Sequence, residues 1–208
     1  QEEKIGKTSM QKIAMFGGTF NPIHKGHIQT ALYFKDKLSL DKVIFIPTSI
    51  PPHKEFKSDV PAYVRYDMCK MVTDKYSFFD TLDIEIKRKG KSYTIDTLKE
   101  LKDIYDVPKF YVIMGADMFL TIEEWKDYEE IFKLSIICAV PRNHDSYDKI
   151  LKQKEKLSNK VSCVVGDMPL VNISSSKIRE MISNKESIKG LVPTEVEEYI
   201  YQNNLYCE

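Results

Sequence analysis

Residues 13–28 read IAMFGGTFNPIHKGHI, an apolar run followed by two glycines, a turn sequence and two histidines. The β-branched and aromatic residues of Ile13–Phe16 predict a strand. Gly17 and Gly18 follow it directly, and because they lack a Cβ they let a ligand approach the backbone closely. Asn-Pro predicts a turn, and an apolar helix pattern begins around His27. The stretch therefore predicts a strand–turn–helix unit whose turn faces a ligand.

The two histidines of this stretch predict a phosphate site. His24 and His27 are three residues apart, which places both imidazoles on one side of a helix start, and Gly26 keeps the space between them free of a side chain. A helix N-terminus favours phosphate, and two imidazole N–H donors strengthen that preference. A zinc site is disfavoured because no Cys, Asp or Glu stands nearby. Lys25 and the preceding glycines disfavour burial of the two histidines in the core. The stretch is not a Walker A loop, because Gly-Lys-Ser/Thr is absent.

A second phosphate-binding pattern lies near the other end of the chain. Residues 173–179 read ISSSKIR, after the last apolar run and at a predicted helix start. Three hydroxyls at an N-cap offer hydrogen-bond donors beside a positive dipole end, and Arg179 one turn later can add a bidentate contact. Alone, this pattern indicates only a good N-cap. Together with the histidine stretch it predicts a second clamp on the same phosphates.

Strands and helices alternate along the whole sequence. Apolar runs predict strands at Ile13–Phe16, Val43–Ile46, Leu82–Ile86, Phe110–Met114, Leu134–Val140 and Val161–Val165. Helical spacing is found at Ile28–Leu38, Tyr63–Thr73, Thr94–Tyr105, Tyr147–Leu157, Ser175–Ser183 and Thr194–Asn203. This alternation predicts an α/β fold with a doubly wound, mostly parallel sheet and helices on both faces. Ligands of such sheets bind beyond the carboxyl ends of the strands, where both phosphate motifs fall.

Composition limits the classes of function. Lys plus Arg total 31, as do Asp plus Glu, so no net basic charge points to nucleic acid or to an anionic membrane. No apolar stretch approaches the roughly 20 residues of a membrane span. The four cysteines form no Cys-x-x-Cys pair and are interpreted as reduced thiols, so we expect a cytoplasmic protein. We expect residues 1–10 to be an N-terminal lead-in that is either disordered or non-native. These residues lack the apolar region of a secretory signal. We expect residues 11–208 to form a single domain.

The pair of motifs GGTFNPIHKGH and ISSSKIR resembles the HxGH nucleotidyltransferase superfamily and, within it, the nicotinate-nucleotide adenylyltransferases. Three further motifs carry the resemblance over nearly the whole chain: PPHK at 51–54, SYTIDT at 92–97, and Gly-Ala-Asp at 115–117 with Trp125 eight residues later. The resemblance implies a Rossmann-like fold. It also implies that ATP and nicotinate mononucleotide react to give deamido-NAD and pyrophosphate, in NAD biosynthesis.

The resemblance also implies a role for each matching residue. The catalytic residues would be His24, His27 and Arg179. The ATP-binding residues would be Gly17, Thr19, Phe20, His24, His27, Gly115, Asp117, Ser174, Ser175 and Arg179. In the mononucleotide site, Lys54 would reach the phosphate, backbone amides near Thr94 would accept the nicotinate carboxylate and Trp125 would stack on the pyridine ring. Mg²⁺ would arrive on ATP without dedicated protein ligands.

Several alternatives stay open at this point. The acceptor could be nicotinamide mononucleotide or another phosphate, as in pantetheine-phosphate adenylyltransferases, and a cytidylyltransferase would share the histidine motif. A non-catalytic nucleotide sensor and a tRNA-synthetase-like module are less favoured, the latter because the chain is short and its net charge is zero. A homo-oligomer is compatible with the sequence. Roles for Arg65, Arg142 and Tyr93 are undecided, and Asn21 and Ser176 stand where the family commonly has Asp and Thr.

Overall fold

The computed structural model describes residues 10–49, 60–88, 90–168 and 172–207. Within these ranges the strands are β1 (Ile13–Gly18), β2 (Lys42–Pro47), β3 (Phe79–Thr81), β4 (Phe110–Gly115), β5 (Ser135–Val140) and β6 (Cys163–Val165). They pair in parallel, in the order β3-β2-β1-β4-β5-β6. This is the strand order of a doubly wound Rossmann sheet, with the reversal between β1 and β4. The predicted fold class is confirmed.

Helices connect the strands and cover the sheet. Those described are α1 (Lys25–Lys37), α2 (Ala62–Thr73), α3 (Ile84–Arg88), α4 (Thr94–Ile104), α5 (Ala116–Leu120), α6 (Tyr128–Leu134), α7 (His144–Lys156), α8 (Ser175–Ser183) and α9 (Thr194–Gln202), with a 3-10 turn at Ile122–Glu124. The sequence does not predict α3, α5 or α6, because five to seven residues are too few to display a helical period. None of the described helices is both long and apolar enough to cross a membrane.

Both faces of the sheet are buried. In β1, Ile13 and Met15 belong to one apolar cluster, while Ala14 and Phe16 belong to the other, as successive residues of a strand must. The first cluster includes residues of α4, α6 and α7, and the second includes residues of α1, α2, α8 and α9. Burial on both faces explains why the central strands read as continuous apolar runs.

One predicted strand is wrong. Leu82–Ile86 does not form a strand, since β3 ends at Thr81 and the helix α3 begins at Ile84. The apolar residues of this segment alternate as in a strand, but Ile84 and Glu85 are buried side by side, which successive residues of a half-buried strand are not. The buried Glu85 carboxylate needs hydrogen-bond donors, and the helical turn aims it at two threonine hydroxyls. A tertiary contact thus overrides the local pattern.

The two glycines that end β1 differ in how much space surrounds them. A Cβ added to Gly18 would lie 3.2 Å from Cζ of Phe20, whose side chain is only 2% exposed and packs against Phe16 and Phe45. A Cβ added to Gly17 would meet only the flexible end of Met15, at 3.7 Å. Close packing therefore requires glycine at the second position and not at the first.

We expect Gly18→Ala to lower the free energy of unfolding by about 1–3 kcal/mol, because the surrounding aromatic rings cannot move aside without strain. The neighbouring Gly17→Ala is the matched control and is expected to be neutral or stabilising by up to about 1 kcal/mol, since alanine restricts the unfolded chain. Urea denaturation of both variants measures the difference. Equal stability of the two variants would contradict this description of the packing.

Candidate active site

The segment Thr19–Pro22, called here the Thr19–Pro22 loop, lies at the carboxyl edge of the sheet, next to the reversal of strand order. Three of its backbone carbonyls accept hydrogen bonds from side chains that are distant in sequence. These bonds join Arg65 Nη1 to the Thr19 oxygen at 2.5 Å, Arg179 Nη1 to the Asn21 oxygen at 2.8 Å and Ser175 Oγ to the Pro22 oxygen at 2.9 Å. The loop is thereby attached to both α2 and α8.

His24 and His27 form a reciprocal cap at the start of α1. The His24 backbone N–H donates to Nδ1 of His27 at 3.1 Å, and the His27 backbone N–H donates to Nδ1 of His24 at 3.3 Å. The rings stack, with centroids 3.7 Å apart and 19° between their planes. His24 is only 5% exposed, so the expectation that these residues avoid burial is wrong for it, because the ring folds back over the helix start to cap it. His27 stays partly exposed.

The hydrogen bonds fix the protonation of the two rings. Because each Nδ1 accepts a backbone N–H, each neutral imidazole carries its proton on Nε2. Burial lowers the pKa of His24 from 6.5 to about 4. Burial, together with the charge that His24 would carry, lowers the pKa of His27 well below 6.5. At neutral pH the pair therefore presents two neutral Nε2–H donors, and neutral rings can stack where two imidazolium cations would repel each other.

The serines predicted as a second clamp begin α8. Ser174 is the N-cap, and its Oγ accepts the Lys177 backbone N–H at 3.1 Å, which confirms the predicted cap. Its hydroxyl hydrogen can still be donated to a ligand, whereas Ser175 already donates its own to Pro22. Of these two residues, Ser174 thus offers a hydroxyl and Ser175 a backbone N–H at the helix start. Arg179 contacts the loop through one of its five N–H donors and keeps others for an anion.

The two sequence motifs therefore meet in the folded chain. Ser175 reaches Pro22 across 153 positions, and Arg179 reaches Asn21 across 158 positions. Pro22 is two residues from His24, so the start of α8 contacts the loop that leads into α1. Two helix starts with imidazole, hydroxyl and guanidinium donors have the chemistry needed to bind a polyanion with several phosphates.

Gly115 and Asp117, predicted at the ATP ribose and adenine, follow β4 on the same edge of the sheet. Gly115 is the N-cap of α5, and Asp117 lies in its first turn. Asp117 Oδ2 lies 3.0 Å from Nη1 of Arg142, which follows β5, and the two side chains are 71% and 69% exposed. Such an exposed ion pair adds little stability, so both groups can exchange it for contacts with a ligand.

Of the residues predicted for the mononucleotide, the structure describes Thr94 and Trp125. Thr94 is the first residue of α4, and Trp125 follows the 3-10 turn. Lys126, the residue after Trp125, has its Nζ 4.8 Å from the centre of the Tyr93 ring. Because Tyr93 directly precedes Thr94, Trp125 lies near the start of α4. Trp125 is only 8% exposed and belongs to the first apolar cluster, so only a small part of its surface can meet a ligand ring. Lys54 lies outside the described residues.

Two buried ionisable side chains, those of Arg65 and Glu85, are not assigned a place by the sequence. The sequence leaves open whether Arg65 is a site residue or a solvated surface charge. In the structure Arg65 is fully buried and bonded to the Thr19–Pro22 loop. Glu85 accepts hydrogen bonds from Thr97 in α4, at 2.8 Å, and from Thr48 after β2. Burial raises the pKa of the Glu85 carboxyl group. An acidic residue within an apolar run is the one sequence signal that could have revealed it.

The described residues contain no cluster of three or more His, Cys, Asp and Glu side chains arranged for a metal ion. All four cysteines are free thiols, with Cys69 and Cys138 buried.

Comparisons with known proteins show the family and the fold. The sequence profile of the family described as cytidylyltransferase-like matches residues 15–181. A Clostridium botulinum protein named as a nicotinate-nucleotide adenylyltransferase is 41% identical over 201 residues, covering 96% of this chain and 100% of that protein. A Dictyoglomus turgidum protein of the same name is 40% identical over 199 residues, which cover 95% of this chain and 96% of that protein. The structure of Plasmodium falciparum nicotinic acid mononucleotide adenylyltransferase complexed with NaAD shares the fold, with a TM-score of 0.69 and 21% identity over 94% of this chain and 97% of that one.

We expect the lowered pKa of His24 to make the protein less stable as the pH falls below about 6.5, because the unfolded chain takes up the proton first. Through His24, the free energy of unfolding should fall by about 2 kcal/mol between pH 8 and pH 5. This loss levels off below about pH 4. His24→Asn keeps an N-cap acceptor and removes the titrating group. Urea denaturation at pH 8 and pH 5 should therefore show a smaller loss for the variant than for the wild type. Identical losses would contradict the neutral, buried state of His24.

Proposed function

This chain belongs to the nicotinate-nucleotide adenylyltransferase family, and we propose that it joins ATP to nicotinate mononucleotide, giving deamido-NAD and pyrophosphate in NAD biosynthesis. The observation that carries the proposal is the meeting of two helix starts at one loop. Hydrogen bonds from Ser175 and Arg179 bring α8 against the segment that leads into His24. A single phosphate could be bound by one helix start, whereas the combination of both suits a triphosphate and the pyrophosphate that leaves it.

The reaction joins two anions, so the protein must position them and offset the charge that develops. An oxygen of the mononucleotide phosphate attacks the α-phosphorus of ATP, and the bond from that phosphorus to the pyrophosphate oxygen breaks. No covalent intermediate and no proton transfer from the attacking phosphate are needed. Hydrogen-bond donors that are already oriented lower the barrier because they do not have to reorganise during the reaction.

The donors at the two helix starts have complementary parts in this scheme. The Nε2–H groups of His24 and His27 bind the phosphates of ATP and the transition state. Ser174, the backbone N–H of Ser175 and the guanidinium of Arg179 hold the departing pyrophosphate. Gly17, Thr19 and the backbone of Phe20 line the region where the two substrates meet, because the Phe20 ring itself is buried in the second apolar cluster. Mg²⁺ enters as part of the ATP substrate and neutralises triphosphate charge, held mainly by the nucleotide.

The remaining assignments concern the two nucleoside ends. Gly115 and Asp117 bind the ribose and adenine of ATP, which agrees with the exposed carboxylate of Asp117 after β4. The start of α4 at Thr94 supplies backbone N–H groups for the nicotinate carboxylate, and Lys54 binds the mononucleotide phosphate. Trp125 contacts the pyridine ring. Cytoplasmic location and the possible assembly of copies stay predictions from the sequence.

We expect His27→Ala to lower kcat by roughly 10²–10³, the loss typical for one donor to the transition state. His27→Gln keeps an N–H donor near the position of Nε2 and should lose less. Pyrophosphate release measured with ATP and nicotinate mononucleotide gives both values, and thermal unfolding checks that the variants are folded. A folded His27→Ala variant with near-normal kcat would refute the role of His27.

We expect kcat/KM with ATP to be at least about tenfold higher for nicotinate mononucleotide than for nicotinamide mononucleotide, because a helix start favours a carboxylate over an amide. Steady-state assays of both acceptors under identical conditions measure this ratio, with CTP replacing ATP as the control for the nucleotide. A preference for the amide would favour the nicotinamide reaction. Activity with CTP but not with ATP would favour a cytidylyltransferase.

A further inference from the structure

The C-terminal tail, residues 203–207 after α9, reaches the Thr19–Pro22 loop. The Tyr206 hydroxyl donates to Oδ1 of Asn21 at 2.6 Å, across 185 positions. Asn21 is 5% exposed, and Tyr206 is partly buried and packs against the second apolar cluster. The contact between the tail and the loop is therefore partly shielded from solvent.

Tyr206 also lies close to the two arginines that hold the loop. Burial raises the pKa of the Tyr206 hydroxyl, and the positive charges of Arg65 and Arg179 act against that rise. Both guanidinium groups donate to carbonyls of the Thr19–Pro22 loop. The tyrosine thus lies where side chains from α2, α8 and the tail converge on a single turn of backbone.

The backbone of the tail is left-handed at two residues, a conformation that asparagine tolerates after a helix but tyrosine rarely adopts. Asn204 and Tyr206 have φ values of 50° and 63°, in the left-handed region that favours glycine. Such conformations persist where surrounding contacts hold them. Here the Leu205 backbone N–H donates to the Ile200 oxygen at 3.0 Å, and Tyr206 binds Asn21. The tail is therefore held in a defined position beside the loop.

We propose that Tyr206 is a positioning residue for ATP, which acts through Asn21 to hold the Thr19–Pro22 loop and, through it, the two histidines. The loop leads directly into His24, whose backbone N–H and ring take part in the reciprocal cap. A shift of Asn21 would therefore displace both Nε2–H donors together. The proposal rests on the proposed function, because its readout is the use of ATP.

Tyr206→Phe removes the hydroxyl and keeps the ring in place. We expect kcat/KM for ATP to fall about 5- to 10-fold, the effect of one buried hydrogen bond, while KM for nicotinate mononucleotide changes less than about twofold. Tyr201→Phe is the matched control, since Tyr201 lies on α9 with 45% of its side chain exposed, and it should behave as the wild type. Loss of stability alone would not separate the two substrates in this way.

A double-mutant cycle tests whether the effect passes through Asn21. In an Asn21→Ala background, adding Tyr206→Phe should change kcat/KM for ATP by less than about twofold. The proposal is overturned if Tyr206→Phe equals the wild type, if it raises both Michaelis constants equally, or if its effect multiplies with that of Asn21→Ala.

Calorimetric binding of a non-hydrolysable ATP analogue separates this proposal from the proposed function. Weaker binding by Tyr206→Phe than by the wild type supports the positioning role even if the true acceptor is another phosphate. A wild type that binds the analogue but forms no dinucleotide from nicotinate mononucleotide refutes only the proposed function. Equal binding of the analogue by both proteins refutes only the role of Tyr206.

Discussion

Hydrogen bonds to the backbone carbonyls of Thr19, Asn21 and Pro22 are the constraint on which the rest of the site depends. When a loop at the end of a central strand is buried, its backbone carbonyl groups need hydrogen-bond donors to replace water. Here the donors come from side chains of α2 and α8, so satisfying the loop also fixes the positions of these helices. The two halves of the phosphate site are thereby assembled by the same bonds that make the loop stable.

The histidine pair shows how the same local contacts determine chemistry. Each ring caps the helix with Nδ1, which leaves the proton on Nε2 and removes any need for a positive charge. Burial lowers the pKa of both imidazoles, so the resting site holds two neutral ring donors in fixed positions and no pair of imidazolium cations that would repel each other. In the proposed reaction, the negative charge is supplied by the triphosphate of ATP. Preorganised donors of this kind suit a transfer between two anions, where charge has to be offset and no nucleophile has to be generated.

Much of this arrangement could be predicted from the sequence because its signals are local. Apolar runs alternating with helical spacing predict a parallel sheet, and the carboxyl ends of such strands share an edge, so GGTFNPIHKGH and ISSSKIR are expected to meet. The serine N-cap and the start of α4 are equally local features.

The features that sequence reasoning missed depend on tertiary contacts. Nothing in the local pattern indicates that Arg65 is buried under a loop 46 positions away, or that Tyr206 meets Asn21. The helix at Ile84–Arg88 replaces a predicted strand because Glu85 binds threonines on two other elements. The burial of His24 was likewise unexpected, since the capping geometry that encloses it requires the folded helix start.

We propose that the starts of α1 and α8 bind one triphosphate together. A crystal structure of the protein with Mg²⁺ and a non-hydrolysable ATP analogue tests it most directly. We expect phosphate oxygens of one nucleotide to lie within hydrogen-bond distance of Nε2 of His24 or His27. Other phosphate oxygens of the same nucleotide should lie within hydrogen-bond distance of Ser174 Oγ or the Arg179 guanidinium. A triphosphate that contacts only one helix start, or that binds at another edge of the sheet, would contradict it.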